Sequence, residues 1–363
     1  MFRNRLDPRL SLVATLLSFL FLVLVVLLLT SPSTALTPAA VSVGLVPDEQ
    51  GVTDLSINQL AYEGLLRAES DLGVTGNVYT PAGAAEYEAK LQECADAGND
   101  LCISVGFLMA EATQNVASAN PDTLFALVDS ESSTPLSNLR GILFAADEVG
   151  YLAGTLAGLM TESDVIGGVG GMQIPSVEAF LVPYGIGAHC ANLQTTVLLT
   201  YTGTFGDPEL GAQVAQQMLD QGADVIFAAA GPTGNGALLT TTQSGAWAIG
   251  VDVDQYFTLF GGGSVPGADH LLSSAMKRVD NAIYQTIADV VAGTFAGGAV
   301  EYGLLEDGVG LAPYHEADAS VPSSVRDALE AVRQGIIDGT IDIYEPCEAY
   351  RTYLPFVMVG SSP

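Results

Sequence analysis

Lysine is almost missing from this 363-residue chain: Lys90 and Lys277 are the two it has. Lys and Arg together number 11 against 41 Asp and Glu, a formal net charge of −30. A surface of that sign repels nucleic acid and anionic lipid headgroups, so no nucleic-acid partner is expected. An acidic, lysine-poor surface also suits a saline habitat, because carboxylates hold water and counter-ions well. Histidine is equally scarce: His189, His270 and His315 are scattered, and none has a second His at i+3 or i+4. The chain has no CxxC pair and no GxSxG elbow, which removes the usual zinc and serine-hydrolase signatures. Two glycine-rich stretches, Gly167–Gly171 and Gly231–Gly236, lack both the P-loop GK[ST] and the dinucleotide fingerprint. Their plain reading is close backbone approach at a cleft. A carboxylate pair such as Asp252 and Asp254 is able in principle to do acid–base work, but without a nucleophile, hydrogen bonding to a ligand is the simpler role. No enzyme, metal or cofactor is expected.

The N-terminus carries the clearest local signal. Arg3, Arg5 and Arg9 precede an apolar run from Leu10 to Leu29, and small residues follow at Ser33-Thr34-Ala35. This is the pattern of a secretory signal. The run is ~20 residues, long enough to span a bilayer, so residues 1–35 are read as a signal peptide or an N-terminal membrane anchor. Either way the arginines stay cytoplasmic and the rest is exported. No second apolar run of that length follows, so membrane contact is expected through this segment only. Export permits disulfides among Cys94, Cys102, Cys190 and Cys347. A local Cys94–Cys102 bridge is geometrically reasonable and leaves Cys190 with Cys347, although four cysteines allow three pairings.

From Val41 onward, short apolar runs alternate with segments of helical periodicity. Strand–helix alternation implies parallel sheets with right-handed crossovers, and two successive sets of strands imply two doubly wound α/β lobes. In open sheets of this kind ligands sit at the carboxyl ends of strands. The chemistry is therefore expected in the loops Pro47–Asn58, Gly106–Met109, Asp129–Ser133, Gly170–Pro175, Tyr201–Asp207, Gly231–Gly236 and Asp252–Tyr256.

Those loops carry a recognisable set of motifs: Gly51-Val52-Thr53-Asp54-Leu55-Ser56-Ile57-Asn58, Glu148…Leu152-Ala153-Gly154, Gly170-Gly171-Met172, Tyr201-Thr202-Gly203-Thr204-Phe205, Ile249-Gly250-Val251-Asp252-Val253-Asp254 and Ser274-Ala275-Met276-Lys277-Arg278. Each is weak alone; in this order, from about Val41 to Leu311, the chain resembles the basic membrane protein family of ABC-importer substrate-binding proteins, whose best-known members are purine-nucleoside receptors. The resemblance implies a type I periplasmic-binding-protein fold, with two doubly wound parallel-sheet lobes joined by a three-strand hinge. It divides the chain into a first lobe of residues 40–145 plus 270–297 and a second of 146–269 plus 298–363. It also implies an exported, monomeric protein that hands a nucleoside to permease and ATPase subunits.

The family's site stacks a purine between aromatic rings and ties the ribose to an Asp and a Lys. On this chain Phe205 matches the second-lobe aromatic, Asp252 the ribose aspartate and Lys277 the lysine. Asp54, Asn58 and Asp129 match the polar edge of the first lobe; Gly231, which opens the second glycine-rich strand exit, is added as a ligand-binding candidate on its own reading as a point of close backbone approach. Asp54 is equally readable as a helix N-cap. Where the family's first loop reads G-F-x-D-x-S-F-N, Val52 stands at its first aromatic, so that stacking face is missing or is supplied by Phe107, Phe180 or Tyr256. Many relatives carry a lipidated Cys directly after the signal, whereas no Cys precedes Cys94 here. Two other readings remain: a ligand-sensing receptor module of the same fold, or the capture of a different small polar ligand. An exported nucleoside hydrolase would need a carboxylate cluster of which Asp48, Glu49 and Asp54 are a thin version.

Overall fold

Short apolar segments that end in glycine or aspartate form the strands, and amphipathic segments between them form the helices. The computed structural model describes residues 40–345, Cys347 and the strand Val357–Met358; the expected signal or anchor lies outside the described residues. The order is β1 Ser42–Val46, α1 Ile57–Leu72, β2 Thr75–Val78, α2 Tyr87–Asp96, β3 Leu101–Val105, α3 Ala110–Ala119, β4 Leu124–Val128 and β5 Leu139–Phe144. Then follow α4 Ala146–Met160, β6 Val165–Gly170, α5 Pro175–Ala191, β7 Thr196–Tyr201, α6 Pro208–Asp220, β8 Val225–Ala229, α7 Gly231–Gln243 and β9 Trp247–Asp252. The chain ends with α8 Gln255–Thr258, β10 Leu271–Lys277, α9 Val279–Ala292, β11 Gly298–Tyr302, β12 Val309–Leu311, α10 Ser323–Ile337 and β13 Val357–Met358.

Two sheets result. The first has the order β11-β5-β4-β3-β1-β2 and is parallel throughout. The second has the order β12-β10-β9-β8-β6-β7-β13, parallel except for the antiparallel β10–β12 pair. Central strands such as β3 and β8 are buried along their whole length, as expected of strands covered by helices on both faces.

The chain crosses between lobes three times: after β5, after β10 and after β11. The crossings are knitted together. Ala145 N–H donates to the Tyr302 carbonyl at 3.1 Å and Arg278 N–H to the Gly308 carbonyl at 2.7 Å. Leu304 N–H donates to the Glu148 carboxylate at 2.6 Å. The division expected from sequence differs in its boundaries. Residues 270–297 were assigned to the first lobe, yet β10 sits between β9 and β12 in the second sheet. The chain re-enters the first lobe at α9, where Arg67 of α1 reaches Asp280 at 3.7 Å and stacks on Tyr284. It leaves again only after β11. The reason is physical: β10 is buried along nearly all of its length, and a strand buried on both faces fits the interior of either sheet.

The second lobe is built on α4 and α5, which touch through glycine. A Cβ on Gly154 would lie 1.9 Å from the Tyr184 carbonyl oxygen, so only glycine permits this approach. Next to this contact Tyr184 and Phe227 pack with ring centroids 5.1 Å apart, and the Tyr184 hydroxyl donates to the Gly167 carbonyl at 3.0 Å. In the first lobe the local Cys94–Cys102 disulfide ties the end of α2 to β3, as expected. Among the described residues no helix is long and apolar enough to cross a membrane.

Every lysine and arginine among the described residues has an acidic partner, so the charge excess is carried by uncompensated surface carboxylates. Exposed ion pairs contribute only about 0–1 kcal/mol each, whereas the net repulsion acts over the whole surface and is screened by salt. Raising NaCl from about 0.05 to 1 M is expected to raise the melting temperature by roughly 5 °C, because screening removes more repulsion than attraction. A flat or falling profile in differential scanning calorimetry would contradict this balance.

Candidate functional site

The loop after β1 is organised by one aspartate. The Asp54 carboxylate accepts from Ser56 N at 2.9 Å, Gln59 N at 3.0 Å and Asn58 N at 3.2 Å, and so caps α1. It also accepts from Asn58 Nδ2 at 2.9 Å. Asn58 is fully buried; its amide donates to Asp48 at 2.9 Å and accepts from Asp48 N at 3.1 Å. This asparagine is committed to the loop. It positions Asp48 and Asp54 and does not itself present a group to the cleft.

In the second lobe the strand ends point the same way. Asp252 closes β9 with φ +63°, and Asp129 closes β4 of the first lobe with the same value. Aspartate is among the few non-glycine residues that tolerate this region. Two residues on, Asp254 caps α8 by accepting from Tyr256 N at 3.2 Å. Gln255 wires the turn to its neighbours: its Nε2 donates to Asn235 at 2.8 Å, and its Oε1 accepts from Val251 N at 2.8 Å. Phe205 sits against Gly171, where a Cβ would come within 2.2 Å of the ring, and beside Gly231.

These loops face one another across a cleft of about 450 Å³, within the usual range for small-molecule sites. The first lobe contributes Asp48, Gln50, Asp54, Leu55, Ser56 and Ile57; the second contributes Gly231, Pro232, Asn235, Asp252 and Gln255 among others. One ion pair joins the lobes directly: Lys277 Nζ lies 2.8 and 3.1 Å from the two Asp129 carboxylate oxygens. Lys277 is 6% exposed and lies 5.6 Å from the centre of the Phe180 ring. Burial alone would lower its pKa, but the Asp129 and Asp252 carboxylates outweigh burial and raise it. The Asp252 pKa is raised as well, but here loss of solvent around the carboxylate is the main cause, Lys277 only partly offsets it, and Asp129 adds to it by repulsion.

The residues singled out from sequence thus divide. Asp54, Gly231 and Asp252 line the cleft; Lys277 and Asp129 are joined across it; Phe205 packs beside Gly231; Asn58 is a support. Phe107 is 59% exposed on the first lobe, with Leu108 beside it, and is a surface aromatic, not a packed one. Phe180 is 3% exposed and packs edge-on against Phe227, so it backs Lys277 and offers no open face. Tyr256 is stacked on His315 at 4.0 Å, and it does not line the cleft. Val52 packs against the core, so the first-lobe apolar wall belongs to Leu55 and Ile57 instead. Leu55 holds φ +56° while 52% exposed, an uncommon state for a leucine. Sequence reasoning missed Gln50, Asn235 and Gln255. The signal for Asn235 was its place in the glycine-rich exit, and for Gln255 its place directly after the matched Asp254. Among the described residues, no three metal-ligating side chains are grouped to hold an ion.

A two-lobed α/β frame with a polar interlobe cleft defines a binding protein. Residues 41–346 match the family of PnrA-like ABC transporter substrate-binding proteins, and the chain belongs to that family. It is 32% identical to the ABC transporter nucleoside-binding protein BmpA of Lactococcus lactis subsp. cremoris, over 82% of this chain and 88% of the relative. It is 37% identical to a lipoprotein of Pyrococcus abyssi, over 74% of this chain and 68% of the relative. The crystal structure of an ABC transporter solute-binding protein from Aeropyrum pernix K1 superposes with a TM-score of 0.69 at 30% identity, covering 86% of this chain and 95% of that one. The protein is therefore an extracytoplasmic substrate-binding component, not an enzyme, and its partners are the permease and ATPase of an ABC importer.

Asp252→Asn is expected to raise the melting temperature at pH 7 by about 2–3 °C, since the neutral amide avoids the burial cost and Lys277 keeps Asp129 as partner. The sign follows from the raised carboxyl pKa. The cost is absent at acid pH, where the group is protonated in both states, and appears as pH rises through the folded-state value. The gain should therefore vanish in acid; an equal gain at pH 3 and pH 7 would show that it has another origin.

Proposed function

We propose that the interlobe cleft captures a nucleoside, a purine nucleoside above others. The observation that carries this reading is the pairing of two surfaces in one site. A ring seated on glycine, Phe205 against Gly171, offers a flat apolar wall. Beside the cleft the Asp129–Lys277–Asp252 cluster offers acceptors and one donor of the kind that buried sugar hydroxyls require. The likeness to the Lactococcus lactis relative, a nucleoside-binding protein, supports the same reading. Capture proceeds with lobe closure about the three crossings. Asp129, Asp252 and Lys277 hold the sugar, Asp54 the first-lobe edge, Phe205 the base, and Gly231 admits close backbone approach. One observation favours a different small polar ligand: the opposing wall, Leu55 and Ile57, is aliphatic. A ligand-sensing role would use the same cleft.

Titration calorimetry of residues 36–363 with nucleosides, free bases, sugars and amino acids tests this. Purine nucleosides should bind one to one, and Phe205→Ala should weaken them by about 5- to 150-fold, the equivalent of ~1–3 kcal/mol of base stacking. Heat from another ligand class and none from nucleosides would overturn the nucleoside reading.

The aliphatic wall gives a second outcome. Ile57→Phe places a ring at the first-lobe side of the cleft and should tighten purine nucleosides about tenfold while leaving free sugars unchanged. Unchanged nucleoside affinity in this variant would mean that the base does not reach Ile57.

A further inference from the structure

We propose that Cys190 and Cys347 form a second disulfide after export, and that this bridge clamps the C-terminal tail onto the paired helices α4 and α5 of the second lobe. Cys190 is near the C-terminal end of α5. The Cys347 backbone N–H donates to its sulfur at 3.3 Å. A backbone nitrogen is ~1.46 Å from its own Cα, so the Cys347 Cα lies within roughly 4.8 Å of the Cys190 sulfur. A disulfide needs Cα atoms about 4.4–6.8 Å apart, and the side chain of Cys347 is short enough to close that gap without moving either backbone far. Both cysteines are half-buried. Tyr151 of α4 lies beside the Cys190 side chain, which puts that sulfur at the seam between the two helices.

Described residues before and after Cys347 already touch the second lobe. Before it, the Tyr344 hydroxyl donates to Asp147 at the start of α4 at 2.8 Å. After it, β13 pairs with β7, Val357 opposite Leu198 and Met358 opposite Leu199, and so covers an outer strand of the second sheet that would otherwise be an open edge. The first pair of cysteines is already satisfied by Cys94–Cys102. The cysteines are separated by 157 positions, so the bridge closes a long loop and removes much chain entropy from the unfolded state.

The chemistry is thiol–disulfide exchange with an external disulfide oxidant. The Cys190 thiolate attacks one oxidant sulfur, forms a mixed disulfide and releases one thiol. The Cys347 thiolate then attacks the Cys190 sulfur and releases the second. Two protein thiols lose two protons and two electrons, and the oxidant disulfide is reduced to two thiols.

The test uses the full exported protein, folded and equilibrated with oxidised glutathione. It is then denatured in a thiol-alkylating reagent, proteolysed and mapped by mass spectrometry. The expected result is no alkylated cysteine and one cross-linked peptide joining Cys190 to Cys347. Cys190→Ser should leave Cys347 alkylated, lower the melting temperature by about 5 °C or more, and speed proteolysis of the tail. Alkylation of both Cys190 and Cys347 while Cys94–Cys102 stays bridged would overturn the proposal. So would a bridge from either residue to the first pair, or a Cys190→Ser variant with unchanged melting and tail proteolysis. Because Cys94–Cys102 reports whether oxidation has occurred, a negative result is decisive.

Discussion

Lys277 sits at the meeting of the lobes within the field of one carboxylate from each: Asp129 from the first and Asp252 from the second. An ammonium this deeply buried is tolerable only because it is paired; removing its partner would strand a charge at a cost of about 3–5 kcal/mol. The pair therefore constrains how far the lobes can part. It also keeps two strand ends, β4 and β10, in register across a gap that carries no sheet hydrogen bonds. A ligand that enters must offer hydrogen bonds at least as good as those it displaces. Sugar hydroxyls can do so because each both donates and accepts.

The three crossings make the relative position of the lobes adjustable without loss of either core. Each lobe keeps its own sheet, and the crossings meet through a small set of polar links: Ala145 to Tyr302, Arg278 to Gly308, Arg278 and Asn281 to Asp307, and Leu304 to Glu148. The last is not neutral. Burial raises the pKa of Glu148, and Asp147, Glu306 and Glu301 add to that by repulsion, while the Leu304 N–H opposes it. A carboxylate held in such surroundings gains from any movement that lets water in. The hinge is thus built from weak, polar links between two rigid bodies, which is the arrangement hinge closure requires.

Much of this was legible in the sequence, and the remainder was hidden for identifiable reasons. Alternating apolar runs and amphipathic stretches revealed the two-lobe α/β plan, because burial on both faces forces near-continuous hydrophobicity in strands such as β3 and β8. The family resemblance pointed to Asp252, Asp129 and Lys277, and all three lie at the carboxyl ends of strands, β9, β4 and β10. Lobe boundaries were hidden, since a buried segment such as Leu271–Lys277 fits the interior of either sheet. The edge strand β11 was missed because its residues are mostly exposed and so carry no hydrophobic period. Around the first loop, Val52 lies in irregular backbone and Ile57 at the very first position of α1, where no periodicity says which one turns inward. Tyr256 lost its place in the cleft to His315, a partner distant in sequence that no local pattern could announce.

The charge of the cleft bears on its cargo as strongly as its shape does. Asp48, Asp54 and Asp252 line it, and Lys277 is already neutralised by Asp129. Two like charges 4 Å apart repel by about 1 kcal/mol in water and about 4 kcal/mol in the partly desolvated setting of a protein surface. A phosphate carried into this space would meet several such terms at once, with no unpaired cation among the described residues to offset them. Neutral ligands with several hydroxyl or amino donors meet the same carboxylates as hydrogen-bond acceptors. The acidity that excludes nucleic acid from the outer surface thus reappears inside as discrimination, favouring an unphosphorylated, donor-rich molecule over its phosphorylated counterpart.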